Sequence, residues 1–265
     1  GDVARTQNEQ IDSFRTQLAA MQQMVGQALQ SATQSLAQQS QAARDAQDAA
    51  LDIVEDDTVV DGLVGLRYTR GANAFTAAFE AQQFTLDQSR FRETHGGHLQ
   101  WLHRYSDSTQ VTAFIQSGLV RFPTEPTRDA TRTVGGLALA HAFGGKLSPV
   151  GFASAYVGNE RTRQEGTNHL GHEPRGIRLG GQLTLAPRLD GFAWAAYEHR
   201  KYNGDDPIFL VRRVDQQWDY RVGAAYTFHP GWQLSPSFAY TDNRSTAELN
   251  RYYRALFSLA VRYSF

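Results

Sequence analysis

A set of charged side chains at alternate positions of strand-like segments provides the main candidates for chemistry in this chain. They are Arg178, Arg213, Asp215, Asp219, Arg221, Arg254 and Arg262. If their shared face is the inside of a closed sheet, each charge must be paired or hydrated, because an isolated buried charge is costly. The set then either forms a ladder of salt bridges that stiffens the wall, or sets the charge of a pore that grips a plug or a cargo. Both interpretations remain open.

Histidine groups are weaker candidates, in this case for a metal site. His169, His172 and Glu173 lie in a predicted loop with a spacing that suits zinc or another divalent ion, and His95 and His98 form a second pair. Chance spacing is common in a polar chain that has 8 histidines. We therefore assign no metal site and no cofactor, and expect these residues to be structural or exposed to solvent.

Catalysis is not favoured by the remaining polar groups. A membrane-surface lipase or deacylase needs a serine, a histidine base and a polar residue that orients the base. The nearest groupings, at 103–106 and 199–202, do not supply a convincing nucleophile and base. The chain has no cysteine, which excludes disulfides and thiolate metal sites. We expect that this protein is not an enzyme.

The charged residues lie on segments in which apolar and polar residues alternate, and the last segment shows this most clearly. From Tyr253 to Phe265 the odd positions are apolar or aromatic, whereas the even positions include Arg254 and Arg262. A period of two is that of a β-strand with one apolar face, as in the lipid-facing strands of outer-membrane barrels. A final aromatic residue is typical of the strand that closes such a barrel. We interpret Tyr263 and Phe265 as the signal for the barrel-assembly machinery.

The same pattern predicts a series of strands from residue 58 to the end of the chain. The candidates are 58–70, 73–86, 91–105, 109–123, 131–143, 149–163, 174–187, 191–203, 209–228, 232–243 and 251–265. Short turns alternate with longer polar connections, as in barrels whose short turns face the periplasm. Two interfacial girdles of aromatic residues are predicted: Phe143, Phe228, Trp232 and Phe265 at the short turns, and Tyr202, Phe209, Tyr240 and Tyr253 at the opposite end.

The odd number of candidates is unusual, because single-chain bacterial barrels have even strand numbers. A missed or misjoined strand is the favoured explanation. The predicted fold is thus an all-β transmembrane antiparallel β-barrel of about 12 strands, within a range of about 10 to 14, over residues 57–265. In the alternative, the N-terminal segment threads the barrel interior and the first strand begins outside the cell.

Residues 1–56 have a different composition and are predicted to be helical. Between residues 4 and 54 there is no Pro, Trp or Tyr, Gly26 is the single glycine, and Gln and Ala dominate. Ile11, Phe14, Leu18 and Met21 have the three-four spacing of a coiled-coil seam. Self-association, a plug in the barrel interior, a periplasmic arm and a plain helical spacer remain open as roles for this segment.

Composition is compatible with an outer-membrane barrel. The formal net charge of −1 argues against a nucleic-acid-binding protein, whose affinity depends on a basic surface. Mean hydropathy is −0.49, and no apolar run approaches the roughly 18 residues of a membrane-spanning helix. A barrel does not need such a run, because half of each strand faces a wet interior. No signal peptide stands at the start, so we expect a processed chain.

Several segments of the barrel region resemble a known family. They are Arg212-Arg213-Val214-Asp215, Trp232-Gln233-Leu234-Ser235-Pro236, Tyr240-Thr241-Asp242-Asn243-Arg244-Ser245, Tyr252-Tyr253-Arg254 and the final Phe265. Over about residues 56–265 the chain resembles the C-terminal barrel of the surface lipoprotein assembly modifier family and related barrels that follow periplasmic helical repeats. The N-terminal region departs from the family, because it lacks the 34-residue tetratricopeptide period.

The resemblance implies an outer-membrane channel that helps export a lipoprotein or another secreted polypeptide, gated in one version by the N-terminal helix. The alternative is a passive diffusion pore, or a structural barrel anchored through the helix. The expected partners are outer-membrane lipid, the barrel-assembly machinery, the exported protein and a second copy of the chain bound through the helix. We expect the protein in the bacterial outer membrane, with the helical segment in the periplasm or in the barrel interior.

Overall fold

The computed structural model describes residues 57–86, 89–207, 210–229 and 231–263. These residues form one antiparallel sheet of 11 strands, in which each strand pairs with its neighbours in the chain. The strands are β1 (Asp57–Arg70), β2 (Asn73–Leu86), β3 (Ser89–Arg104), β4 (Thr109–Arg121), β5 (Ala130–Ala142), β6 (Val150–Thr162), β7 (His172–Ala186), β8 (Leu189–Asp205), β9 (Arg212–His229), β10 (Trp232–Ser245) and β11 (Tyr252–Tyr263). The predicted all-β antiparallel fold is confirmed, and each strand lies within a few residues of its predicted position.

The strands between the two edge strands have one apolar exposed face and one face that carries the buried residues. On β9, Trp218, Tyr220 and Val222 are exposed on one face, whereas Asp215 and Gln217 are buried on the other. Alternate residues of a strand point to opposite faces, so the period of two in the sequence becomes a separation in space. We call the face of Trp218 the outer face and the face of Asp215 the inner face.

The inner face is concave. Tyr156 on β6 donates a hydrogen bond to Glu198 on β8, and Gln116 on β4 donates one to Glu80 on β2. Each bond passes over an intervening strand, and neighbouring strands are about 4.8 Å apart. Side chains separated by two strand spacings meet readily when the sheet curves toward them. The sheet therefore wraps around its polar side.

The connections differ in length at the two ends of the strands. One end has the connections 71–72, 105–108, 143–149, 187–188 and 230–231, and the other has 87–88, 122–129, 163–171, 206–211 and 246–251. Three of the second set contain a short 3₁₀ helix, at Pro126–Arg128, Asn168–Leu170 and Glu248–Asn250. The predicted alternation of short and long connections holds, with two exceptions. The connection at 87–88 is shorter than predicted, and the one at 143–149 is longer.

The two edge strands, β1 and β11, run in the same direction. This is because the direction alternates from each strand to the next and an odd number of strands lies between them. Within the described residues no ladder joins β1 to β11. The eleven strands predicted from the alternation pattern are confirmed for this part of the chain. The twelfth strand, expected because bacterial barrels have even strand numbers, is not found among the described residues. The predicted helix over residues 1–56 lies outside the described residues.

A small aromatic cluster closes the inner side of β2 to β4 next to the connection 122–129. Phe91 packs edge-on against Phe84 and Phe122, with both centroid separations at 5.7 Å. The Arg128 guanidinium lies 4.3 Å from the Phe122 ring centroid and is held by Glu125 at 3.1 Å. These contacts order the long connection against the sheet. Among the described residues, no helix has the length and apolar character needed to span a membrane.

Candidate functional site

The inner face of β5 to β9 holds a network of charged side chains, which is the candidate functional site. We call it the inner network and define it as Arg132, Glu160, His172, Glu198, Arg200, Arg213 and Asp215. All of its members are at least half-buried, and both signs of charge are represented. An arrangement of this kind is stable only where the charges are paired or reached by water.

Asp215 is the centre of the inner network. The residue is 0% exposed, and Arg213 two residues earlier on β9 binds its carboxylate with Nε 3.0 Å from Oδ1 and Nη2 2.7 Å from Oδ2. Nη1 of Arg200, on the neighbouring strand β8, lies 4.0 Å from Oδ2. One carboxylate therefore balances two guanidinium groups, and a two-contact Arg–carboxylate pair is among the stronger polar contacts in proteins.

Arg200 connects Asp215 to the other side of the network. Its side chain is 1% exposed, and its guanidinium forms an ion pair with Glu198 two residues earlier on β8. Nη2 also donates to Oε1 of Gln217, at 3.2 Å. Glu198 in turn accepts the Tyr156 hydroxyl from β6. The network thus joins β6, β8 and β9 across the concave face.

A ladder of weaker polar contacts continues from the network along β9. Gln217 Nε2 donates to Asp219 at 2.7 Å, and Thr241 donates to the other oxygen of the same carboxylate at 2.7 Å. Further along, Arg221 Nη2 donates to Ser237 at 3.0 Å. The polar residues of β9 are therefore hydrogen-bonded to β10, and their role in stiffening the wall stays a prediction.

His172 and Tyr202 form the end of the network next to the connection 163–171. Their rings stack with centroids 5.1 Å apart, and the Arg213 guanidinium lies 4.5 Å from the Tyr202 centroid. Nδ1 of His172 is 3.8 Å from Glu160. The prediction that Tyr202 belongs to an outer aromatic girdle is wrong. The residue lies on the same inner row as Glu198 and Arg200, because the spacing of two places it there.

Gly176 makes room for the contact between Tyr156 and Glu198. Gly176 lies directly between these residues in register, with Tyr156 on one side and Glu198 on the other. A β-carbon built on Gly176 would lie 2.6 Å from ring carbons of Tyr156. The Tyr156 ring therefore crosses β7 where a side chain is missing, and a glycine in a strand often marks such a close approach.

We expect Gly176→Ala to displace the Tyr156 ring and to lower the free energy of unfolding by about 1 to 3 kcal/mol, the usual cost of overpacking. Urea titration of the lipid-reconstituted full chain, followed by tryptophan fluorescence, measures this. Gly97→Ala is the matched control, since Gly97 is an exposed strand glycine and a β-carbon there would meet nothing within 4 Å. Equal stability of the two variants would contradict the assigned role of Gly176.

Several buried polar atoms of the network have no hydrogen-bond partner among the described residues. They include Nε of Arg132, Nε and Nη1 of Arg200, and both ring nitrogens of His172. Buried polar atoms are ordinarily satisfied by protein groups or by ordered water. We therefore expect water to reach the concave face.

The structure places the predicted charged residues on one face but divides them into groups. Arg213, Asp215, Asp219 and Arg221 belong to the network and its ladder. Arg178 interacts electrostatically with Asp219 of the ladder, and its guanidinium also lies 4.5 Å from the Trp194 ring centroid.

Arg254 and Arg262 lie on the edge strand β11, opposite Thr241 and Gln233 of β10. Their positions in register place them on the inner row, as the alternation in the sequence predicts. Their predicted role in setting pore charge stays a prediction.

Sequence reasoning missed Arg132, Glu160, Glu198 and Arg200. On β8 the inner row alternates with an outer row that contains His199 and Lys201, so both faces of this stretch read as polar. The available signal was the spacing of two between Glu198, Arg200 and Tyr202. Glu198 and Arg200 carry opposite charges at alternate positions of one strand. Such a pair indicates an inner face even when the residues between them are also charged.

The histidine groups are not assembled into metal sites. His172 is buried on the inner face and the adjacent Glu173 is exposed on the outer one, since neighbours in a strand point to opposite faces. His95 and His98 also point to opposite faces. In the described part of the chain, no group of three or more His, Asp or Glu could hold a metal ion.

Tyr263, the last residue of β11, lies at the short-connection end of the sheet. The Tyr263 ring packs on that of Trp232, with centroids 4.7 Å apart. Phe265 and Phe209 lie outside the described residues, and the assembly signal assigned to Tyr263 and Phe265 stays a prediction.

The outer face exposes large apolar side chains on strands throughout the sheet. Examples are Phe79 on β2, Leu137 on β5, Leu179 on β7, Val222 on β9 and Phe257 on β11, with exposed fractions between 54% for Val222 and 69% for Phe257. Monomeric soluble proteins rarely expose contiguous apolar surface of this extent. An apolar outside around a charged inside inverts the usual distribution of side chains.

Comparison with known proteins gives no family assignment. No protein-family model matches the chain, and no curated protein matches it. Membership of the surface lipoprotein assembly modifier family therefore stays a prediction.

Several solved structures are weakly similar to the sheet, and they are outer-membrane proteins. The KdgM porin in complex with disordered oligogalacturonate has a TM-score of 0.41 and 11% identity, over 80% of this chain and 99% of that chain. OmpT of Vibrio cholerae has a TM-score of 0.41 and 10% identity, over 79% and 97%. The beta domain of the Bordetella autotransporter BrkA has a TM-score of 0.36 and 15% identity, over 80% and 93%. Any function proposed for this chain therefore rests on the chemistry of its outer and inner faces.

Proposed function

We propose that this chain forms a β-barrel channel of the bacterial outer membrane that admits small hydrophilic solutes. The observation that carries the proposal is the contrast between the exposed apolar outer face and the charged, concave inner face of one antiparallel sheet. Strands can cross a bilayer when their polar backbone groups pair with neighbours and their outward side chains are apolar.

The outer face supports a membrane position. On β9 its apolar belt is bounded by aromatic residues, with Trp218 and Tyr220 in the middle part of the strand and Phe228 near the end of the strand. Aromatic side chains are enriched where a bilayer meets water. The shorter connections lie at the Phe228 end, which is the periplasmic end in proteins of this kind.

The inner face supports a polar channel rather than a filled core. Its charged residues include both signs, and some of their buried polar atoms have no hydrogen-bond partner among the described residues, so we expect water to reach them. A wall with alternating guanidinium and carboxylate groups suits small polar solutes better than a highly charged polymer of one sign. We propose no catalytic role and no cofactor for this wall.

Polypeptide export is the more specific proposal that the family resemblance supports. In that version the exported protein passes through the barrel, residues 1–56 gate it, and copies of the chain associate through this segment. The barrel-assembly machinery and outer-membrane lipid are proposed partners in either version. The two versions differ in whether the full chain conducts steadily or stays shut.

Single-channel conductance of the full chain in planar bilayers tests the proposal. We expect steady openings, and we expect Arg221→Glu to shift the reversal potential in a salt gradient toward cation selectivity, because Arg221 lies on the inner row. Arg161→Glu is the control, since Arg161 is exposed on the outer row of β6. A full chain that inserts without conducting, or equal shifts for both variants, would reject a pore lined by the inner face.

Deletion of residues 1–54 separates the two versions in the same assay. If the full chain stays shut and the shortened chain conducts, gating by the N-terminal segment and export are favoured. If both conduct alike, the diffusion-pore version is favoured.

A further inference from the structure

A row of polar residues crosses the outer face of β7 to β10, just beyond the apolar belt. The register places Arg175 opposite His199, His199 opposite Gln216, and Gln216 opposite Arg244. Arg175, Gln216 and Arg244 are exposed. At about 4.8 Å per strand spacing, the row extends over roughly 14 Å. We call these four residues the basic row.

Lys201 adds a further cation next to the row. It lies two residues after His199 on the same face of β8 and is exposed, and both Lys201 and Arg175 act electrostatically on the His199 ring. The nearby acids are Glu173, opposite Lys201, and Asp242, which lies 3.2 Å from Arg244. In the described part of the chain, neither Arg175 nor Lys201 forms an ion pair. The patch therefore retains an excess of positive charge on an outward surface.

The position of the basic row relative to aromatic residues indicates what it faces. On the next outer row toward the belt, Tyr197 and Trp218 pack with ring centroids 4.8 Å apart, and Trp218 stacks on Tyr220 at 6.0 Å. Rings of this kind sit at the level of lipid headgroups. The basic row lies one step further from the belt, on the side of the longer connections, where membrane barrels face the outside of the cell.

We propose that the basic row and Lys201 bind the phosphate groups of a phosphorylated glycolipid in the outer leaflet. Guanidinium and ammonium groups are the usual protein ligands of phosphate. Cations at the membrane surface attract anionic lipids by about 1 kcal/mol for each charge. A row of about 14 Å suits a headgroup with more than one phosphate better than a single phosphodiester. The inference rests on the membrane position proposed above.

Titration of the full chain in detergent micelles with lipid A, followed by native mass spectrometry, tests the site. We expect Arg175→Gln combined with Lys201→Gln to weaken apparent binding by about tenfold or more, as the loss of two surface charges predicts. The matched control is Lys146→Gln combined with Arg188→Gln. It removes the same charge from two connections at the opposite end of the sheet, at 143–149 and 187–188, and we expect binding to be unchanged.

Three results would overturn the glycolipid site. They are unchanged binding by the Arg175/Lys201 double variant, equal weakening by the control, and binding of lipid A no tighter than that of phosphatidylglycerol. Flotation of the full chain with phosphatidylcholine vesicles distinguishes this failure from failure of the membrane proposal. A chain that floats but gives one of these results lacks the glycolipid site alone, whereas a chain that does not float lacks the membrane position as well.

Discussion

Asp215→Asn is expected to lower the free energy of unfolding by about 3 to 5 kcal/mol, the usual cost of removing one partner from a buried ion pair. The substitution keeps the shape of the side chain and removes its charge. The guanidinium groups of Arg213 and Arg200 would then lie close together in a buried environment, without the carboxylate that offsets their positive charges. The effect should be large because Asp215 is 0% exposed.

Urea titration of the lipid-reconstituted full chain measures this loss. Asp242→Asn is the matched control, because Asp242 on the outer face of β10 pairs with the exposed Arg244 at 3.2 Å. We expect less than about 1 kcal/mol for that variant, as for other surface pairs. If both variants lose the same stability, the inner network is as well hydrated as the surface, and its ion pairs do not stiffen the wall.

Val222→Arg is expected to cost about 2 to 4 kcal/mol in a bilayer, since an arginine would then lie near the middle of the lipid-facing belt. Val222 is 54% exposed on the outer face of β9. In water, substitution at such an exposed position would change stability by no more than about 0.5 kcal/mol. The experiment therefore distinguishes a lipid-facing surface from a solvent-facing one.

The control for this experiment is Gln216→Arg on the same strand. Gln216 lies on the same outer face of β9 as Val222 but beyond Trp218, outside the apolar belt. We expect a cost of about 0 to 1 kcal/mol there. Folding of both variants into phosphatidylcholine vesicles, with urea titration of the folded fraction, gives the two values. Similar small costs for both would contradict a membrane position for β9.

The strands and the character of their faces could be predicted because both are local properties. On β9 the alternation of Trp218, Tyr220 and Val222 with Asp215 and Gln217 is visible within one segment, and it determines which residues share a face. The same rule placed Arg254 and Arg262 on one row of β11. It failed for Tyr202, because an aromatic residue near a strand end was assigned by position along the strand instead of by its spacing from Glu198 and Arg200.

The partners within the inner network could not be predicted in the same way. The contact of Tyr156 with Glu198 depends on the curvature of the sheet and on the missing side chain at Gly176. Arg200 meets Asp215 because β8 and β9 pair in one particular register. Neither curvature nor register is contained in a period of two, since sliding a strand by two residues preserves the pattern and changes every partner.

The amino-acid sequence alone determined that residues 57–265 contain antiparallel strands with one apolar and one polar face, because alternation needs only the geometry of a single strand. The tertiary structure decided that the polar faces curve toward each other, that Asp215 lies between two arginines, and that Arg175 and Arg244 fall on one outer row. These relations join residues on different strands. They arise only when the pairing of neighbouring strands fixes the height of each side chain relative to the next.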